Sequence, residues 1–302
     1  MKFTKPALSY ERQLALLKER GLIVERDQEA LTCLKRVSYY RLSGYFLPFK
    51  DTKDHFRDGT TLDQVIALYE FDTKLRISFL QAIERVEVAF RTAITYELAH
   101  ACGPFAHTNQ NIYSSWFLKS MSIGKPSGFE ELMTNLAKEE KRAKEQFAKN
   151  YRAKYTSEQH LPIWMATELM SFGTLSMMFS GLRSATKTKI AAHYKLPETP
   201  FKNWIHVLAT IRNCCAHHSR LWNRQLGVKA VIPHRWKYTV PFADRIYCVA
   251  VMLQHLLEVI VIQSTWREGF IGLFDQHPEI DTTSMGFPAN WRDLPPWVKQ
   301  AR

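Results

Sequence analysis

The sequence predicts an all-α protein, a helical bundle, and three observations carry that expectation. Apolar residues recur at helical spacing through most of the chain. No stretch alternates with the period of two that a half-buried strand requires, and there is no internal repeat. With 302 residues, 46% of them hydrophobic, the chain can bury a full core and is not a disordered polymer.

The elements follow in order. A first helix covers residues 10–20 and stops at Gly21. A second, over 27–37, leads into Ser38-Tyr39-Tyr40-Arg41-Leu42-Ser43-Gly44-Tyr45. Residues 48–60 form a polar loop, after which Thr60 or Thr61 caps a long helix reaching about residue 100. Gly103-Pro104 breaks it, and Ile123-Gly124-Lys125-Pro126-Ser127-Gly128 reads as a mobile loop. A heavily charged helix spans 129–154, with Phe147, Tyr151 and Tyr155 on one side. Pro162 opens a helix through 179, softly interrupted at Gly173, and a short helix covers 186–194. Pro197 and Pro200 bound the next helix, a basic loop covers 232–241, and an apolar helix spans 244–265. Met285-Gly286-Phe287-Pro288-Ala289-Asn290-Trp291 is too rich in proline and aromatics for a helix. This gives an N-terminal helical extension over 1–58 and a helical core over 59–266 with a charged insertion at about 105–160. An irregular C-terminal tail over 267–302 packs on that core.

Lys and Arg outnumber Asp and Glu by 41 to 29, a formal net charge of +12 that favours polyanionic partners, nucleic acid before membrane. The five cysteines (Cys33, Cys102, Cys214, Cys215, Cys248) are odd in number and form no CxxC pair, which argues for a reducing compartment. The first residues lack the apolar stretch of a signal peptide, and Gln254, His255 and Glu258 interrupt the longest apolar run. A bilayer span needs about 20 mostly apolar residues. The expectation is therefore a cytoplasmic protein with no membrane partner.

Arg212-Asn213-Cys214-Cys215-Ala216-His217-His218-Ser219-Arg220 is the stretch richest in chemistry. Arg212 keeps its proton and offers a planar fork of donors that fits a phosphate. His217 or His218 can move a proton near neutral pH. Together these are the minimum equipment for cutting RNA without a cofactor or metal. On a continuous helix Arg212, Asn213, Ala216, His217 and Arg220 would fall within about 140° of one another, at roughly 100° per residue.

Other groups bear on that site. On the long helix Leu75, Phe79, Ile83, Val86 and Phe90 form an apolar stripe beside a charged one of Asp72, Arg76, Glu84, Glu87 and Arg91. That charged stripe is either an exposed ion-pair ladder or the source of a carboxylate, Glu84 or Glu87, that orients Arg212 or a histidine. Tyr39-Tyr40-Arg41 mixes aromatics with a cation, as single-strand RNA sites do, although core packing of the tyrosines is the commoner use. Arg220, Arg224, Lys229, Arg235 and Lys237 make a basic set suited to receiving RNA. A zinc site would need Cys214, His217 and His218 plus a fourth ligand, and His193, His206 and His234 show no recognised spacing. Apolar burial suits Cys214 and Cys215 better than nucleophilic chemistry.

Arg212 followed by His217 resembles the R-x4-H motif of HEPN-domain ribonucleases, and His218 fits a looser form of it. Val37-Ser38-Tyr39-Tyr40-Arg41-Leu42-Ser43-Gly44-Tyr45, Leu68-Tyr69-Glu70-Phe71-Asp72, Ala82-Ile83-Glu84-Arg85-Val86-Glu87, Cys215 through Arg224, and Met285-Gly286-Phe287-Pro288 resemble abortive-infection proteins of the AbiD/AbiF-like group. The resemblance covers nearly the whole chain. It implies a HEPN-like bundle, a homodimer that joins two motifs, and metal-independent endoribonuclease activity in phage defence. It further implies kinship with the HEPN nuclease parts of RNA-guided CRISPR effectors, and control by a small RNA or an antitoxin. In that reading Arg212, Asn213, His217 and His218 are catalytic, with Glu84, Glu87 and Arg91 supporting them and Arg41 among the RNA-binding residues. A non-catalytic RNA-binding or RNA-sensing module, and a protein-recruiting component, remain the alternatives.

Overall fold

Twelve α-helices and no extended strand make up the described residues of the computed structural model, which are 2, 4, 6–51, 53–122 and 124–298. The all-α expectation holds. Ile123 of the expected 123–128 loop and the last four residues of the tail lie outside the described residues. The chain divides into two compact units, Met1–Arg76 with Leu273–Ile280, and Ile77–Gly272 with Asp281–Arg302.

The first unit holds α1 (Tyr10–Glu19), α2 (Asp27–Val37), α3 (Tyr39–Phe46) and the opening turns of α4 (Leu62–Cys102). Ser9 caps α1 by accepting from the Arg12 N–H at 3.2 Å. Thr61 and Gln64 form a reciprocal capping box, each side chain accepting the other's backbone N–H at 3.3 and 3.0 Å, so α4 starts where the sequence says it should. Leu17, Leu34, Leu42, Phe46 and Phe71 are buried in this unit. Two expectations are corrected here. Asp72 and Arg76 are not part of an exposed ladder, since both are buried and paired, and the Tyr45 hydroxyl donates to Asp72 at 2.5 Å. Burial without that partnering would be costly, which is why the three groups occur together. Tyr40 is 89% exposed rather than core, and Tyr39 is half-buried and accepts from Arg20 at 3.1 Å.

The second unit contains the rest of α4 followed by α5 (Gly128–Arg142), α6 (Gln146–Lys154), α7 (Ile163–Leu169), α8 (Phe172–Gly181) and α9 (Ser184–Ala192). Next come α10 (Glu198–Ala216), α11 (Ile246–Ile260) and α12 (Trp266–Asp275), whose last residues belong to the first unit. Phe90 of α4, Phe179 of α8 and Phe201 of α10 meet with ring centroids 5.3–5.8 Å apart, and this cluster seats α10 against α4.

Several expected helices divide or end early. The 129–154 segment breaks after Arg142: Ala143 leaves the helix with its N–H donating to the Glu140 carbonyl at 3.2 Å, and the Arg152 guanidinium turns back to that same carbonyl. The 162–179 segment breaks at Met170 rather than Gly173, since Ser171 caps α8 by accepting from the Thr174 N–H at 3.1 Å. The apolar helix stops at Ile260, and a further helix, α12, occupies the start of the tail expected to be irregular. Gly269 and Gly272 hide α12 in the sequence by lowering its helix propensity. Aromatic packing of Phe270 on Trp266, Phe287 and Trp297 holds it, with centroids 4.8–6.3 Å apart. Residues Ile246 to Leu257 of α11 are all buried within this chain, so the apolar circumference of that stretch is satisfied by the fold.

Candidate active site

Helix α10 begins directly after Pro197, with Pro200 in its first turn, where a missing N–H costs nothing. Its buried side, including Trp204, Leu208, Ile211, Cys214 and Cys215, faces the core, which leaves Arg212, Asn213 and His217 on the open side. The helix ends at Ala216. The Ser219 N–H donates to the Cys214 carbonyl at 2.9 Å and the His218 N–H to the Cys215 carbonyl at 3.0 Å. This is a Schellman termination, and His218, with φ of 56°, fills the left-handed position that glycine normally takes. The motif therefore straddles a helix end. Arg212 and Asn213 are helical, His217 is the C-cap, and His218 and Arg220 lie beyond, so the expected continuous stripe does not form.

Arg212 stands at the end of a chain of contacts that starts in α7. The Arg91 Nε donates to the Thr167 carbonyl at 2.9 Å and its NH2 group to the Met170 carbonyl at 3.3 Å, which serves the open end of α7. The same NH2 group donates to Glu87 Oε1 at 3.0 Å. The other oxygen, Oε2, lies 3.7 Å from Arg212 Nε. Side-chain exposure is 14% for Arg91, 13% for Glu87 and 41% for Arg212, so a sheltered pair holds a guanidinium whose outer part reaches solvent. Glu84 is exposed, and Glu87 is the carboxylate that meets the arginine.

Two cavities adjoin the motif. Asn213, His217 and Ser219 line a pocket of about 260 Å³ with apolar walls from Val207, Ile211, Leu226 and Val228. Arg220, Asn223, Arg224, Gln225 and Arg245 line an open basin of about 530 Å³. Arg224 and Gln225 belong to both. Arg224 is held by Nε donating to Cys214 Sγ at 3.2 Å, and Arg245 by donating to Asn223 Oδ1 at 3.3 Å. Arg245 escaped sequence reasoning, although a cation at the positive end of α11 is out of place for helix stability and signals another use.

The remaining sequence candidates lie elsewhere. Lys229 and Lys237 are exposed and line neither cavity. Arg235 stacks over Trp236 at 4.3 Å in a separate groove with Lys195 and His255. Arg41 belongs to the first unit. His193 pairs with Glu97 at 2.9 Å, and the hydrogen bond from Lys189 leads the contacts that hold the Glu97 carboxyl below its ordinary range. Among the described residues no three His, Cys, Asp or Glu side chains converge as metal ligands. Nor is any described helix long and apolar enough to cross a membrane.

No curated protein and no solved structure matches this chain. The family model for Abi-like protein matches residues 32–223, well over half of it. That span contains Glu87, Arg91, Arg212, Asn213, His217 and His218, while Arg224 and Arg245 lie beyond it. The chain belongs to the Abi-like protein family, proteins of abortive infection and phage defence.

Proposed function

We propose that this chain is a metal-independent endoribonuclease of the HEPN type that acts in abortive infection. The observation that carries the reading is the Arg91–Glu87–Arg212 chain of contacts, which holds a guanidinium on the helix that the exposed His217 caps. Arg212 binds the scissile phosphate and stabilises charge that builds on its non-bridging oxygens. His217 takes the proton of the adjacent ribose 2′-OH, and the 2′ oxygen attacks phosphorus. The bond to the 5′ oxygen breaks, and that oxygen leaves with a proton from a second histidine. The products are a 2′,3′-cyclic phosphate and a free 5′-OH. Asn213 orients the phosphate or the imidazole. The open motif face leaves room for a second copy, whose histidine would serve as the acid in a two-fold dimer. A small RNA or an antitoxin protein would hold such an enzyme silent.

The test incubates the purified chain with labelled single-stranded RNA, with and without EDTA. Cleavage that EDTA leaves intact, cyclic phosphate ends, and resistance of RNA carrying 2′-deoxyribose at the cut site are expected. Cleavage of the 2′-deoxy substrate, or loss with EDTA that a divalent metal restores, overturns the mechanism. RNA binding with no cleavage replaces the enzyme with an RNA-binding module.

A further inference from the structure

We infer that the pocket beside His217 receives one unstacked nucleobase, and that the arginine basin next to it takes the phosphate attached to that nucleotide. The inference rests on the ribonuclease reading for the location of the scissile bond, but the binding it describes stands on its own geometry. Single-stranded RNA is the substrate class it assigns, because a base held in a duplex cannot enter a pocket.

Size is the first argument. A volume of about 260 Å³ holds roughly nine water-sized atoms at about 30 Å³ each, the scale of one base. Chemistry is the second. Val207, Ile211, Leu226 and Val228 supply apolar walls for a ring face, while Asn213 and Gln225 bring the amide groups that read base edges. Charge is the third. The basin is lined by three arginines and two amides, the Gln225 amide donating to the neighbouring Asp244 carboxylate at 3.0 Å, and it reaches the N-cap of α11, where helix geometry favours an anion. Arg224 and Gln225 line both cavities, so base and phosphate of one nucleotide span them without a gap. The far wall is preset: the Leu226 N–H donates to the Asp244 carbonyl and the Ala230 N–H to the Ala243 carbonyl, both at 2.8 Å.

The wall residue Gly227 provides the test. A Cβ there meets nothing within 4 Å and its backbone is not left-handed, so Gly227→Leu adds bulk to the pocket lining without strain. The probe is a fluorescein-labelled, mixed-sequence 2′-O-methyl RNA octamer, which cannot be cut by 2′-OH attack. It is compared by anisotropy with a series in which one abasic nucleotide is moved along the strand. For the wild-type chain, one abasic position is expected to weaken binding about 10-fold or more. Gly227→Leu should weaken the intact octamer by a similar factor and add no further loss on that abasic probe. Thr210→Leu, which adds bulk to the lining from α10, should behave the same way. Arg245→Gln should weaken both probes alike and lower the salt dependence by about one phosphate contact. No binding of the octamer by wild type, an unchanged affinity in both filled variants, or equal losses on intact and abasic probes overturns the proposal. If these outcomes hold but wild type cuts no RNA, the ribonuclease reading falls and the nucleotide site remains. If wild type cuts RNA and the filled variants bind normally, the reverse is true.

Discussion

Glu87 Oε2 lies 3.7 Å from Arg212 Nε, while Oε1 of the same carboxylate takes a hydrogen bond from Arg91 at 3.0 Å. One carboxylate on α4 thus orients the arginine of the motif and is itself fixed by a guanidinium that serves the end of α7. In the role proposed for it, a guanidinium held this way would lose little freedom when a phosphate arrives.

In the proposed mechanism Glu87 acts through Arg212, so the two substitutions should not add. Glu87→Ala is expected to lower kcat about 10-fold, Arg212→Ala about 10²–10³-fold. The double variant should be no slower than Arg212→Ala alone. Single-turnover cleavage of labelled RNA measures this; independent, multiplying losses would show that Glu87 has another job.

The paired histidines separate by backbone conformation. His217→Ala should lose about 10²–10⁴ in rate, the usual cost of a missing acid or base. His218 occupies a left-handed position at a cost of order 1 kcal/mol, and His218→Gly should recover about that much, raising Tm by about 2 °C. Its rate should fall less than that of His217→Ala. Should His218→Gly be the slower enzyme while remaining the more stable protein, the catalytic assignment passes to His218.

Acid should destabilise the second unit through two buried imidazoles. Burial pushes His107 and His255 down to about 4 from an ordinary 6.5. Between those values the unfolded chain binds more protons than the folded one, so their contribution is complete above about pH 6.5 and is lost as pH falls toward 4. Each contributes on the order of 3 kcal/mol across that window. Neither ring nitrogen of His107 has a hydrogen-bond partner among the described residues. His107→Leu should accordingly raise the urea midpoint at pH 7 and flatten its decline toward pH 5. An unchanged decline would mean that other groups govern acid unfolding.

The sequence disclosed what depends on local pattern. Period-3.6 spacing named Leu75, Phe79, Ile83, Val86 and Phe90, all of which are buried, and Thr60 or Thr61 marked the start of α4, where Thr61 is the cap. Glu87 was one of two carboxylates named for Arg212, but choosing between it and Glu84 needed the rotation of α10 on α4, which the phenylalanine cluster sets. The end of α10 was illegible because stop signals lean on glycine, and here a histidine takes the left-handed place. Arg245 and the pocket walls were hidden for another reason. They depend on residues 226–230 returning to pair with 243–244, a non-local contact that no periodicity encodes.

The helix end at Ala216 also sets how the motif tolerates insertions. If arginine and histidine shared one helix, any residue inserted between them would turn one relative to the other by about 100°. Here the spacing is divided by a stop. A residue added after Ala216 would leave Arg212 on Glu87 and the helix register unchanged, moving both histidines one place along the turn. One added between Arg212 and Ala216 would instead rotate the last helical residues by about 100° relative to Arg212, displacing buried Cys214 and Cys215 as well as the histidines. Variation in the spacing of such motifs is therefore most easily absorbed on the histidine side, where the chain has already left the helix.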